Sequence, residues 1–373
     1  MLGPFPPSGR TYPASIAGTF GTFELRKCAD MRIGVLASIG STIDAFFPPL
    51  IARWEEQGHE VVTAAETPAQ GNHDILKNVS RRPSLKNLRG HRDVARWVKS
   101  RDLDVVITNT ATASFIARVR PVGVPVIYFC HGLHWDSPKG ISSRMWQLAE
   151  KAVLKNTDAV VVINHDDEDW FRRNFDPERV HRLPSGVGVP LDEFPRSPMP
   201  PVTEGIRLAW GGEFSHRKRP QLAVQVMAEL RDLGTPCHLT MCGDGPLLTQ
   251  TEEQIEELGL GEDVTLAGRV PRFDDYIARS HALLLTSTWE GLPRVGLESL
   301  AIGRPVFAFD VKGTRSLPAV TLAPGDSPRA LAELIARHPF EDPEAVALIE
   351  PAELSPIHSA DAIADIAASL VGR

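Results

Sequence analysis

The segment Glu290-Gly-Leu-Pro-Arg-Val-Gly-Leu-Glu298 sets two carboxylates eight positions apart, between an apolar run at 282–286 and a helical pattern at 295–302. Proline suits the first turn of a helix, so Pro293 predicts a helix start with free N–H groups near Arg294, Val295, Gly296 and Leu297. Such a terminus favours a diphosphate. Glu290 would then stand just outside the helix and Glu298 about a turn inside it, so that one carboxylate faces a sugar and the other a ribose. A solvated acid beside a capping acid is the plainer alternative. The run His216-Arg-Lys-Arg219 concentrates positive charge and by itself reads as a solvated basic turn. His131 follows an apolar run at 124–130 and so emerges at a strand's carboxyl end, the edge where parallel α/β sheets bind ligands. Gly40-Ser41-Thr42 follows the first such run, and its small residues permit close backbone approach.

These residues need a scaffold, and the chain spells one out. From Met31 onward, short β-branched runs at 32–37, 61–64, 104–108, 124–130 and 158–163 alternate with helical patterns at 46–56, 145–154 and 167–174. That alternation is the pattern of a parallel sheet covered on both faces. The stretch 190–201 carries five prolines and no periodicity, which marks a linker. Strand-like runs then recur at 206–210, 238–241, 264–266, 282–286 and 306–309. The expectation is an α/β protein with two doubly wound, Rossmann-like domains, 31–192 and 205–355, joined by 193–204 and facing across a cleft. A final helix at 356–373 carries the apolar stripe Ile357, Ala360, Ile363, Ile366, Ala367 and Leu370. Residues 1–30, rich in Pro and Gly, read as a disordered extension or as a start misassigned upstream of Met31.

The chain has 373 residues, 42% apolar and 23% charged, with a formal net charge of −7. These values fit a folded soluble or peripheral protein and exclude a coiled coil or a collagen-like chain. No stretch approaches the ~18 apolar residues of a membrane span. Four scattered cysteines without C-x-x-C spacing suggest neither zinc nor disulfides, which points to a reducing cytoplasm. Against the acidic total, 77–101 holds nine Lys/Arg and one acid, Asp93. Arg89, Arg92 and Arg96 there would attract an anionic membrane surface, at about 1 kcal/mol per charge, or an acceptor pyrophosphate, with Trp97 inserting at the interface. A solvated helix face is the alternative, and nucleic acid is not expected. Asp166-Asp-Glu-Asp169 has the spacing of a metal clamp but reads as a helix start, where acids favour the dipole. The incomplete glycine pattern after the first strand argues against a dinucleotide-dependent dehydrogenase.

Five pieces of the second half occur in order: Gly212-Glu-Phe-Ser-His-Arg-Lys218, Gly243-Asp-Gly-Pro246, Leu266-Ala-Gly-Arg269, Glu290 to Glu298, and Gly303-Arg-Pro-Val306. With them, about 31–320 resembles the retaining nucleotide-sugar glycosyltransferases of family 4, which have the GT-B fold. Phe47-Pro-Pro-Leu50, Glu56-Gln-Gly-His-Glu60, Arg82-Pro-Ser-Leu-Lys-Asn87, His131-Gly-Leu-His134, Ile163-Asn164 and Gly186-Val-Gly-Val189 are similar to its capsule and exopolysaccharide members. Two departures stand out: Thr108-Asn-Thr110 replaces a His-x-His, and Glu213 stands where the broader family often has Arg. The resemblance implies that Glu290 contacts sugar hydroxyls, Glu298 the ribose and Lys218 the diphosphate. Arg217 would be a second cation and His131 would lie beside the transferred sugar. Gly40, Gly243, Arg269, Val270, Gly296 and Leu297 are the further donor-binding positions. It also implies a UDP-sugar donor, no metal cofactor, retention of configuration and a polyprenyl-diphosphate-linked saccharide acceptor at the inner face of the plasma membrane. A sugar-nucleotide 2-epimerase of the same fold and a catalytically silent sugar-nucleotide-binding protein remain as alternatives.

Overall fold

The computed structural model describes residues 30–81, 87–133, 141–342 and 349–372. The expectation for the N-terminal extension lies outside these, apart from Asp30, as do His134 and most of the Arg82-Pro-Ser-Leu-Lys-Asn87 match. Among the described residues the first half forms β1 (Arg32–Leu36), β2 (Glu60–Ala65), β3 (His73–Ile75), β4 (Val105–Asn109), β5 (Val126–Cys130), β6 (Ala159–Val162) and β7 (Val180–Arg182). They make one parallel sheet in the order β3-β2-β1-β4-β5-β6-β7. The second half forms β8 (Ile206–Gly211), β9 (Cys237–Cys242), β10 (Val264–Gly268), β11 (Ala282–Leu285), β12 (Val306–Phe309) and β13 (Thr321–Ala323). These pair, again parallel, in the order β10-β9-β8-β11-β12-β13. The expected runs all become strands. The short edge strands β3, β7 and β13 carry too little apolar pattern to be read in advance, and pairing to a longer neighbour creates them.

A helix that the periodicity did not show, α1 (Gly40–Phe46), precedes the one expected at 46–56, which forms as α2 (Pro48–Glu56). Phe47 closes the first with its N–H on the Ile43 carbonyl, and Pro48, which has no N–H to give, opens the second. The remaining helices of this half are α3 (Asn87–Arg101), α4 (Ala111–Arg118), α5 (Ile141–Leu154) and α6 (His165–Asn174). Residues of α1 and α2 pack into one core on the sheet, and those of α3 and α4 into another. In the second half α7 (Pro220–Asp232), α8 (Leu248–Glu257), α9 (Asp274–Arg279), α10 (Arg294–Ile302) and α11 (Pro328–Ala336) surround the six strands.

The last helix, α12 (Pro356–Val371), returns to the first half of the chain. Its Ala360, Ile363, Ala364 and Ala367 are buried in the core that contains Phe47 and Trp54. Trp54 Nε1 donates to the Ala360 carbonyl at 2.8 Å, and Arg53 pairs with Asp361 at 2.8 Å. The predicted stripe therefore covers the other domain, although Ile357 at its start is 49% exposed. The Pro-rich linker is tied down by Arg304, which is fully buried. Its guanidinium donates to the carbonyls of Ser197, Pro198, Ala278 and Ser280. No helix among the described residues is long and apolar enough to cross a membrane.

Candidate active site

β8 and β11 are neighbours, so the loops leaving their carboxyl ends lie side by side. The two loops are stitched by Thr286 Oγ1 to the Lys218 carbonyl at 2.8 Å and by Thr288 N–H to the Arg217 carbonyl at 2.8 Å. Arg219 also donates to the Thr286 and Ser287 carbonyls. This stitching brings Lys218 to Glu290 across 72 residues, with Nζ and Oε1 2.6 Å apart. Arg217 Nη1 reaches Glu290 Oε2 at 2.7 Å, and Ser287 Oγ reaches Oε1 at 2.6 Å. Burial by itself would raise the Glu290 carboxyl, but Lys218, Ser287 and Arg217 outweigh it and hold the pKa below the ordinary range. One ionised carboxylate under two cations leaves a net positive charge at the sheet's functional edge, a suitable seat for a diphosphate.

Gly243 follows β9 at the same edge, with φ +141°, and its N–H donates to the Gly268 carbonyl at 2.7 Å. A Cβ there would fall 1.8 Å from the Gly212 carbonyl oxygen, so only glycine lets the two loops close together. Arg269, after β10, is 81% exposed and pairs with Asp244 at 3.2 Å, while Val270 beside it is half-buried.

At α10 the expectation needs correcting. Pro293 is the residue before the helix, not part of its first turn. The N–H groups of Gly296 and Leu297 donate back to its carbonyl at 2.9 and 3.4 Å, so they are spent within the helix. Arg294 and Val295 supply the open N–H end instead. Gly296 packs against Leu317, and Leu297 is buried in the core. Glu298 sits one turn in, paired with Arg294 at 3.0 Å, and burial raises its carboxyl more than Arg294 lowers it.

His131 caps β5 in the opposite half. Its ring lies between Phe129 and Phe46, with centroids 4.4 and 5.7 Å away, and its Nε2 is buried without a hydrogen-bond partner. The two domains meet here: a Cβ on Gly291 would lie 2.1 Å from the His131 carbonyl oxygen. Arg294 also crosses the gap, donating to the Ala45 carbonyl at 2.8 Å. The structure thus brings His131 beside the loop that carries Glu290, with Lys218 and Arg217 behind it. Gly40 opens α1, but its N–H is taken by Thr67 Oγ1 at 2.8 Å. Thr110, from the Thr108-Asn-Thr110 departure, has φ +72° and bonds Ser38, tying the ends of β4 and β1 together.

Burial pushes the His131 imidazole from 6.5 down to about 4, so at neutral pH it is uncharged and able to give or take one hydrogen bond. The unfolded chain takes that proton near 6.5 and the folded one only near 4. Stability therefore falls as pH drops through that window and is level above it. The melting temperature of the wild type should decline more steeply between about pH 6.5 and 4 than that of His131→Gln. Parallel curves would show that the imidazole is not held neutral.

The sequence missed the contact that closes the domains. Lys312, after β12, holds the Glu290 N–H on its own carbonyl at 2.9 Å and sends its ammonium into the other domain. There Nζ meets Asp167 Oδ1 at 2.8 Å and donates to the Leu133 carbonyl at 2.8 Å. Asp167 also accepts from Asn164 Nδ2 and the Leu133 N–H. Beside this bond Arg315 pairs with Asp166, and His165 bonds Ser316 Oγ. The acidic run at 166–169 does begin a helix, as expected, but two of its acids serve this clasp. Nothing in the sequence pairs Lys312 with Asp167, because no local spacing links them. Among the described residues, no group of three or more His, Cys, Asp or Glu is placed to hold a metal ion.

The second part of the basic stretch is α3, with Arg89, Arg92 and Arg96 exposed on it. Trp97 does not join them: it is 3% exposed, packs in the core beneath the helix and donates from Nε1 to Asp74 at 3.0 Å. Its apolar ring serves the sheet and is no membrane anchor.

Two parallel Rossmann-like sheets with opposed functional edges, closed on a carboxylate and two cations, define the GT-B class. Residues 43–186 match the glycosyl transferase 4-like domain and residues 203–350 match glycosyl transferases group 1. Each half of the chain therefore matches a glycosyltransferase domain model, and the fold that the two halves build is GT-B. A Bacillus subtilis (strain 168) protein named as a glycosyltransferase, EpsF, is 28% identical over 214 residues, covering 54% of this chain and 56% of EpsF. The Escherichia coli UDP-Gal:alpha-D-GlcNAc-diphosphoundecaprenol alpha-1,3-galactosyltransferase is 21% identical over 265 residues, 65% of this chain and 66% of that protein. The matches to the first curated relatives span about half of those relatives' length. The crystal structure of Anabaena HepE in complex with UDP superposes with a TM-score of 0.71 at 18% identity, over 91% of this chain and all of HepE, a likeness of fold.

Proposed function

We propose that this protein is a retaining glycosyltransferase that moves a hexosyl or N-acetylhexosaminyl unit from a UDP-sugar to a polyprenyl-diphosphate-linked glycan in surface polysaccharide synthesis, at the cytoplasmic face of the membrane. The observation that carries this reading is the cluster of Lys218, Arg217 and Glu290 brought against the His131 strand end. In it, Lys218 and Arg217 neutralise charge growing on the departing UDP, a form of electrostatic stabilisation that calls on no metal. Glu290 orients the sugar through its hydroxyls, Glu298 binds the ribose, and the Gly243 and Arg269–Val270 loops line the donor side. The neutral His131 gives its unused Nε2 to a sugar or acceptor hydroxyl. The acceptor oxygen attacks the anomeric carbon on the face that UDP leaves. One C–O bond forms as the other breaks, and the acceptor proton passes to the diphosphate oxygen. The HepE complex with UDP and the lipid-diphosphate acceptor in the Escherichia coli relative's name both support the choice of substrates.

Incubation with a panel of UDP- and GDP-sugars tests this. Slow release of UDP from one donor, accelerated by a polyprenyl-diphosphate saccharide, is the expected result. Release of a 2-epimerised UDP-sugar would make the protein an epimerase, and binding without turnover would make it a silent binder.

A further inference from the structure

α3, α4 and α5 lie side by side on one face of the N-terminal sheet. Their outer surface is unusual in two respects. Met145, Trp146 and Leu148, at 65, 54 and 67% exposure, crowd about one turn of α5. They make up three of the seven large apolar side chains exposed among the described residues. The exposed charge of these three helices has one sign. Arg89, Arg92 and Lys99 on α3 and Arg144 and Lys151 on α5 are exposed. Meanwhile the only acids of the three helices are neutralised: Asp93 by Arg96 at 2.6 Å, and Glu150, buried, by Arg118 at 2.6 Å. This is a local excess of positive charge on a chain of net charge −7.

Topology sets where this surface lies. In a parallel sheet each crossover helix starts at the carboxyl edge of the strands, so the first turns of α3 and α5 stand at the same edge as His131. Arg89 and Arg92 belong to the start of α3, Met145 and Trp146 to the first half of α5, and Leu148 to its middle.

We propose that this end of the N-terminal domain docks on an anionic bilayer, with Met145, Trp146 and Leu148 entering the interface and the flanking cations meeting lipid phosphates. Exposed apolar side chains that share a helix with Arg144 and Lys151 and a face with the α3 cations suit that boundary, where rings and chains sink below headgroup level and cations stay at it. Trp146 thus takes the part that the sequence suggested for Trp97. The docked orientation holds the cleft mouth near the headgroups. Its purpose rests on the reading of a lipid-linked acceptor, whereas its test does not.

The test uses the full chain with phosphatidylcholine vesicles, with or without phosphatidylglycerol, carrying bromine on their acyl chains. Tryptophan fluorescence should be quenched only when phosphatidylglycerol is present, and Trp146→Phe should abolish the quenching. The change Leu148→Gln should lower vesicle partitioning by about tenfold, as expected for one large apolar group withheld from lipid. UDP-sugar hydrolysis without vesicles should be the same in Leu148→Gln as in the parent, so a failed transferase reading shows there and a failed docking reading shows in the quenching. Equal quenching on neutral vesicles, or none on either, overturns the proposal. So does a concentration-dependent dimer that Trp146→Gln disperses, which would assign this face to a second copy of the chain.

Discussion

Lys218→Ala lowers sugar transfer by about a hundred- to a thousandfold while leaving the protein folded. The figure is that for one fixed transition-state donor, ~2.7–4 kcal/mol. Lys218 suits the role physically: its side chain is 14% exposed, so its charge is little screened by water, and its position is set by backbone bonds on both sides of the loop. Folding survives because Glu290 keeps Arg217 and Ser287, and the backbone ties of the loop do not involve the lysine side chain. Steady-state turnover with the donor found in the sugar panel checks this, with the melting temperature as a control. Lys218→Arg should recover part of the loss, since the charge returns with a different shape. Parental turnover in the alanine variant would remove Lys218 from the chemistry.

Lys312→Met opens the molecule. Asp167 is 2% exposed and Lys312 9%, so removing the ammonium leaves a carboxylate buried without its cation. Breaking such a pair from one side costs about 3–5 kcal/mol. Burial already raises the Asp167 carboxyl, and losing Lys312 raises it further, which favours a protonated, uncharged acid. The expected results are a lower urea midpoint, a larger radius of gyration in solution scattering as the halves separate, and slower transfer because the Glu290 loop loses its hold on the His131 side. Adding Asp167→Asn to Lys312→Met removes the stranded charge and should restore much of the stability but little of the closure. A midpoint and radius unchanged in the single variant would mean that the Arg315 and Ser316 contacts close the domains without Lys312.

Much of the scaffold is legible locally. Runs such as Val-Ile-Tyr-Phe-Cys at β5 are apolar throughout because both of their faces are covered, and no other arrangement suits them. The stripe on α12 announces a buried helix, but only the folded chain reveals that it lies on the N-terminal domain against Trp54. The pairs Lys218–Glu290 and Lys312–Asp167 differ in the same way. The first could be sought, since both residues follow strand runs and so share an edge. The second joins two sheets, and no strand pattern reports how sheets face each other. Trp97 illustrates the converse error: a ring among arginines reads as exposed until helical periodicity is set against the sheet it covers.

Residue order alone, then, determined the two alternating α/β halves, the proline-rich joint and the edge where charged loops gather, because strand and helix periods are local properties of the chain. Tertiary structure alone decided which charges neutralise each other, which aromatic ring meets water and how the halves are clasped. Those outcomes depend on burial and on distances between segments far apart in sequence.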